Sequence, residues 1–154
     1  ETQLLTGTNI FNGILVSNIN PTLYYAPNEL GAIGYKSNGY LHVDGVATVG
    51  WGATYGTADI IGVALDLDSS TQTIKYYKDG SVILSLNLTD DMQGETIFPF
   101  IQNYESRSFN LNFGGYTINT ISSAASDDND YGTFEYAPPS GYYALCSKNL
   151  AEYG

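Results

Sequence analysis

The sequence predicts an all-β protein: a bent sandwich of two antiparallel sheets with almost no helix. Three observations carry this. Apolar residues alternate with polar ones over short runs, turn dipeptides punctuate those runs at close intervals, and no stretch keeps a helical period. Residues 11–16 read as the first strand. Residues 40–43 form a short strand bracketed by Asn38-Gly39 and Asp44-Gly45, pairs that readily adopt the positive φ of tight turns. In residues 59–68, Ile61, Val63, Leu65 and Leu67 fall on one face, and Ile60, Gly62 and Ala64 on the other. Apolar residues on both faces indicate a central strand covered on both sides. Residues 73–78, Asp79-Gly80 and residues 81–88 then read as a hairpin, because both central residues of a type I′ turn need φ > 0. Residues 97–101 are a strand in which Pro99 dictates an edge or a strand start. In residues 108–113, Phe109, Leu111 and Phe113 alternate with polar partners as a half-buried strand. Residues 17–31 and 122–132 read as loops. The predicted core contains Ile61, Val63, Leu65, Leu84, Leu86, Phe109, Leu111 and Phe113, with Tyr35 and Tyr77 covering it.

Composition bounds the function. A chain of 154 residues with 43% hydrophobic content can bury a core without disulfides or metals. Sixteen acidic residues against five basic ones give a net charge of −11, which repels phosphate backbones and anionic lipid. Nucleic acid is excluded as a partner on that ground. One cysteine, Cys146, permits no internal disulfide and leaves the redox compartment open. No apolar run approaches the roughly 18 residues of a membrane-spanning helix. Residues 1–154 read as a single domain. The start at Glu1-Thr2-Gln3 has neither an initiator Met nor a signal-peptide pattern, so a segment of a longer chain is expected.

Several motifs now fall into an ordered series. Residues 55–68, with Asp59-Ile60-Ile61-Gly62-Val63-Ala64-Leu65-Asp66, resemble the SPRY core motif, Ala58 standing where that family usually has Gly. Ile74-Lys75-Tyr76-Tyr77-Lys78-Asp79-Gly80 resembles the family's hairpin, with Asp79 in place of Asn. Phe98-Pro99-Phe100 and Asn112-Phe113-Gly114 are similar to two later family signatures, and Ile33-Gly34-Tyr35 and Asn38-Gly39 extend the series toward residue 11. Residues 137–150, including Pro138-Pro139-Ser140-Gly141-Tyr142-Tyr143-Ala144-Leu145-Cys146, are similar to the segment C-terminal to SPRY domains in tailed-bacteriophage structural proteins. The resemblance implies a bent two-sheet sandwich that binds through loops at one end. It does not name the ligand, since one fold hosts unrelated partners. SPRY domains usually open with an aromatic-rich strand, and here nothing aromatic precedes Phe11. An unpaired edge is therefore expected beside residues 1–6, to be filled by preceding sequence, a neighbouring subunit or an anchoring domain.

Catalytic groups are sparse. His42 is the one histidine, no G-x-S-x-G elbow exists, and His42 reads as structural. Asp66 and Asp68 share a strand face about 6.6 Å apart, a spacing compatible with glycoside hydrolysis. However, Asp68 runs into Ser69-Ser70-Thr71 and reads as a turn cap. Asp128 and Asp130, in Asp128-Asn129-Asp130-Tyr131-Gly132, resemble part of a calcium loop but lack its distal Glu; they are the metal candidates, set against a solvated acidic loop. No cofactor is implied. Aromatic residues are the richest feature. Trp51 between two glycines, Tyr24 and Tyr25 in the early loop, Tyr104 and Tyr116 are the candidate binding residues, through stacking or interface anchoring.

The expectation is a non-enzymatic structural or decoration module at a virion surface, in a capsid fibre, a decoration or a tail. Its partners would be other virion proteins or a host-surface glycan or protein, with homo-oligomers possible in principle. The alternatives are a carbohydrate-binding module with aromatic stacking loops and a cellular SPRY domain that binds peptides.

Overall fold

A computed structural model describes residues 1–7, 9–17, 29–103, 106–115 and 121–153. Among these residues the strands follow as β1 (Thr2–Leu4), β2 (Ile10–Val16), β3 (Ala32–Lys36), β4 (Leu41–Val43), β5 (Val46–Thr48), β6 (Ile60–Asp66), β7 (Thr73–Lys78), β8 (Ser81–Asn87), β9 (Ile97–Asn103) and β10 (Phe109–Leu111). A 3-10 turn covers Asp90–Met92, and a short helix, α1 (Ser147–Tyr153), ends the series. Two five-stranded antiparallel sheets result, ordered β10-β1-β6-β7-β8 and β5-β4-β3-β2-β9. The predicted two-sheet, nearly all-β architecture is the observed one.

Local chemistry fixes the turns. Asp79 and Gly80 take φ of 47° and 78°, as a type I′ hairpin between β7 and β8 requires. The Asp79 carboxylate also accepts from the Ile60 N–H at 2.9 Å, tying the turn to the start of β6. Asp44 and Gly45 repeat the pattern, with φ of 49° and 80°, between β4 and β5. Pro99 sits on β9, which is an edge strand of its sheet.

The core lies between the sheets. Ile14, Val16, Ile33 and Leu41 from one sheet meet Ile61, Ile74 and Leu84 from the other. Tyr35, Tyr55 and Tyr76 stack through its centre, with ring centroids 5.7 Å and 5.3 Å apart. A buried phenol needs a partner for its hydroxyl. The Tyr55 hydroxyl accepts from Asn12 Nδ2 at 3.0 Å and lies 2.8 Å from the Ile10 carbonyl and 3.0 Å from the Tyr35 carbonyl.

Four sequence expectations need correction. Val63 (39% exposed), Leu111 (40%) and Phe113 (44%) are not core residues, because the sheets splay apart where they stand. Leu65 and Leu86 are only partly buried, at the margin of the same core. Tyr77 lies on the outer face of its sheet, against Gly62; the buried member of the pair is Tyr76. Finally, β1 is not an edge strand. It is paired with β10 on one side and β6 on the other, so the gap expected beside residues 1–6 is absent there.

After β10 the chain returns across the outer face of the first sheet. Tyr136 packs against Gly80, the Tyr142 ring lies 5.3 Å from Lys75 Nζ, and Ala64 is buried beneath this segment. Glu1 helps to hold it: its carboxylate accepts from Asn112 Nδ2 and from the backbone N–H groups of Glu135 and Tyr136, at 3.0–3.2 Å.

Candidate functional site

Trp51 stands at the exposed end of the β4–β5 hairpin, and its neighbours explain why. Gly50 takes φ of 75°, a left-handed turn that costs glycine nothing. Gly52 rests directly on the Tyr35 ring, where any Cβ would collide. Behind it, the Tyr35 hydroxyl donates to the Ala53 carbonyl, and Tyr55 N–H donates to Ser37 O at 2.9 Å. The segment is thus clamped to the core while the indole projects outward, 53% exposed. Val46 and Val49 of the preceding segment are also exposed, and all three residues of β5 face solvent on the edge of their sheet. A rigid mount carrying a large exposed aromatic suits stacking on a sugar face or anchoring a protein contact.

The other binding candidates, Tyr24, Tyr25, Tyr104 and Tyr116, lie outside the described residues.

His42 is buried, its ring meeting Phe11 edge-on at 5.0 Å. Burial, reinforced by the nearby Lys36 ammonium, holds its pKa below the ordinary histidine value. Asp66 rather than Asp68 caps the turn after β6. Its carboxylate accepts from Ser69 Oγ at 2.6 Å and from the N–H groups of Asp68 and Ser69. Those bonds, the Ser69 hydroxyl foremost, lower its pKa. The cap falls on Asp66 because the strand ends there, two residues before the sequence reading placed it.

Among the metal candidates, Asp128 accepts from Ser140 Oγ at 2.9 Å and Gly141 N–H at 2.7 Å, and Asp130 occupies a left-handed turn at φ 59°. Among the described residues no cluster of three or more His, Cys, Asp or Glu is placed to hold a metal ion.

The residue that sequence reasoning passed over is Asp127. It is buried and accepts four hydrogen bonds, from the N–H groups of Asn129, Tyr131 and Ala144 and from Asn149 Nδ2, at 2.7–2.9 Å. Burial opposes its ionisation, but these bonds outweigh burial and its pKa is lowered. Asp127 thereby locks residues 127–131 to α1 and to the segment before it. The signal was present as an Asx-type spacing, Asp127 two residues before Asn129.

Between β6 on one sheet and β2 and β9 on the other runs a cavity of about 800 Å³. Its wall includes Asn12, Val63, Leu65, Pro99 and Leu111, and it continues beneath residues 136–145.

The fold defines the chain as a two-sheet antiparallel β-sandwich. Compared with known proteins, the chain matches no family model and no curated protein.

Proposed function

We propose that this chain is a non-enzymatic structural module of a virion surface, a decoration, fibre or tail-associated domain that binds protein or host-surface partners through Trp51 and the β4–β5 edge. The observation that carries the binding part is the exposed indole on a clamped mount, on the solvent-facing segment that follows β5. The virion part rests on the likeness of residues 137–150 to the tails of bacteriophage SPRY proteins and on a polar, acidic surface of net charge −11. Multiple copies on a particle would strengthen weak single contacts by avidity.

The test is cosedimentation of purified chain with virions that carry its gene, comparing the parent with Trp51→Ala. Interface hot spots cost about 2 kcal/mol or more on truncation, so binding should weaken by at least about thirtyfold. Equal binding by the two forms would remove Trp51 from the site. A second reading, a carbohydrate-binding module, is favoured by the same exposed ring, because sugars stack on indole faces. Glycan-array binding lost in Trp51→Ala would select it over protein contact.

A further inference from the structure

The segment that leads from Trp51 to β6 is gripped from both sheets. On the sheet that carries the β4–β5 hairpin, Gly52 N–H donates to the Gly39 carbonyl at 3.4 Å and Tyr55 N–H to the Ser37 carbonyl at 2.9 Å. The grip from the other sheet comes from the end of β7. Lys78 Nζ donates to the Thr54 carbonyl at 3.0 Å and forms an ion pair with Asp59 Oδ2 at 2.8 Å. The same Asp59 oxygen accepts from Gly56 N–H at 2.8 Å. Next to Lys78, Asp79 holds Ile60 twice. Its carboxylate accepts from Ile60 N–H and its own N–H donates to the Ile60 carbonyl, both at 2.9 Å.

This geometry makes Lys78 a connection between the sheets rather than a solvated charge. The two side chains of the ion pair are only 26% and 27% exposed, so water screens them less than it screens a pair on an open face. Thr54 and Gly56, the two residues held from this side, bracket Tyr55, whose ring is sunk in the core with its hydroxyl bonded to the Ile10 carbonyl. Trp51 is joined to that fixed stretch by Gly52 and Ala53 alone. Glycine lets the chain swing unless its neighbours are held. Releasing the Thr54 carbonyl therefore leaves the Tyr35 bond to Ala53 as the nearest hold on the indole.

We propose that Lys78, paired with Asp59, is a positioning residue for the Trp51 contact, holding the indole's segment from the sheet that does not carry it. The inference rests on the reading of Trp51 as the contact residue. Lys78 acts indirectly, through the Thr54 carbonyl, by keeping the indole in one orientation before a partner arrives. Preorganisation of this kind strengthens binding because the side chain need not be ordered during it. Residues 45–58 contain no charged side chain, yet a contact made there depends on a charge at the end of β7.

Time-resolved fluorescence anisotropy of Trp51, the one tryptophan, tests this in the free 154-residue chain, at a temperature where every variant is folded by circular dichroism. In the parent the indole should depolarise with the whole molecule. Lys78→Met keeps the stem but loses the ammonium, and should add a component on the nanosecond scale of loop motion. Lys78→Arg, which keeps a charged donor, should restore the parent behaviour. Asp59→Asn should loosen the indole too, and combining it with Lys78→Met should add little, because the two residues act as one unit. Lys75→Met removes the same charge from the same strand, where the ammonium lies over Tyr142 instead, and should match the parent. In cosedimentation with virions that carry its gene, Lys78→Met should bind about twofold to tenfold more weakly, the cost of ordering one side chain on binding. An indole equally immobile in parent and Lys78→Met overturns the positioning role, as does equal loosening in Lys75→Met. Trp51→Ala sedimenting like the parent would instead take away the contact itself, and the proposal with it.

Discussion

Four donors converge on Asp127; the N–H groups of Asn129 and Tyr131 lie in the turn that follows it, but those of Ala144 and Asn149 arrive from 17 and 22 residues away. That is why a residue read as part of a solvated acidic loop turns out to organise the C-terminal segment. Removing it strands buried donors, so Asp127→Ala should destabilise by on the order of 2–4 kcal/mol, measured by denaturant unfolding, with Asp128→Ala costing far less. The pH dependence follows from the lowered pKa of the folded state. The folded carboxylate binds its proton less readily than the unfolded one. Its contribution is complete above the ordinary Asp value of 3.8 and is lost as pH falls through the folded pKa. His42 acts in the same direction at higher pH. Its folded pKa is depressed, so the unfolded chain takes up the proton first and stability declines as pH falls below about 6.5. Since the chain has one histidine, NMR titration of a single imidazole should give a midpoint below that value, and a midpoint above it would contradict the burial.

Strands and hairpins were the most legible level. Alternation placed β6, β8 and β10, the Asp79-Gly80 turn placed β7 before β8, and residues 11–16 and 97–101 were read as strands where β2 and β9 stand, because these depend on short-range sterics and period. Burial was less legible. Val63 and Leu111 alternate just as core residues do, but whether a face is covered depends on the opposite sheet, which no local pattern records. The distinction is measurable on two neighbouring strands. Ile74, fully buried on β7, should cost about 2–5 kcal/mol on Ile74→Ala, whereas Val63→Ala on β6 should cost less than about 1 kcal/mol. Similar losses at both sites would mean that the sheets close over Val63.

At the scale of the whole molecule two features stand out: the Trp51 segment, set by its two flanking glycines, and the cavity between β6 and strands β2 and β9. From the sequence, Trp51 stood out as the one tryptophan between glycines, and its exposure was legible from that flanking. The cavity was not, because it arises where two sheets joined by distant loops fail to meet. With 14 tyrosines and a single tryptophan, selective excitation isolates the proposed contact residue from the rest of the chain. The most direct measurement is therefore iodide or acrylamide quenching of Trp51 fluorescence, first in the free chain and then in the same chain bound to virions. The account predicts efficient quenching when free, as a 53% exposed indole requires, and strong protection with a blue-shifted emission when bound. Quenching that is unchanged by binding would contradict it.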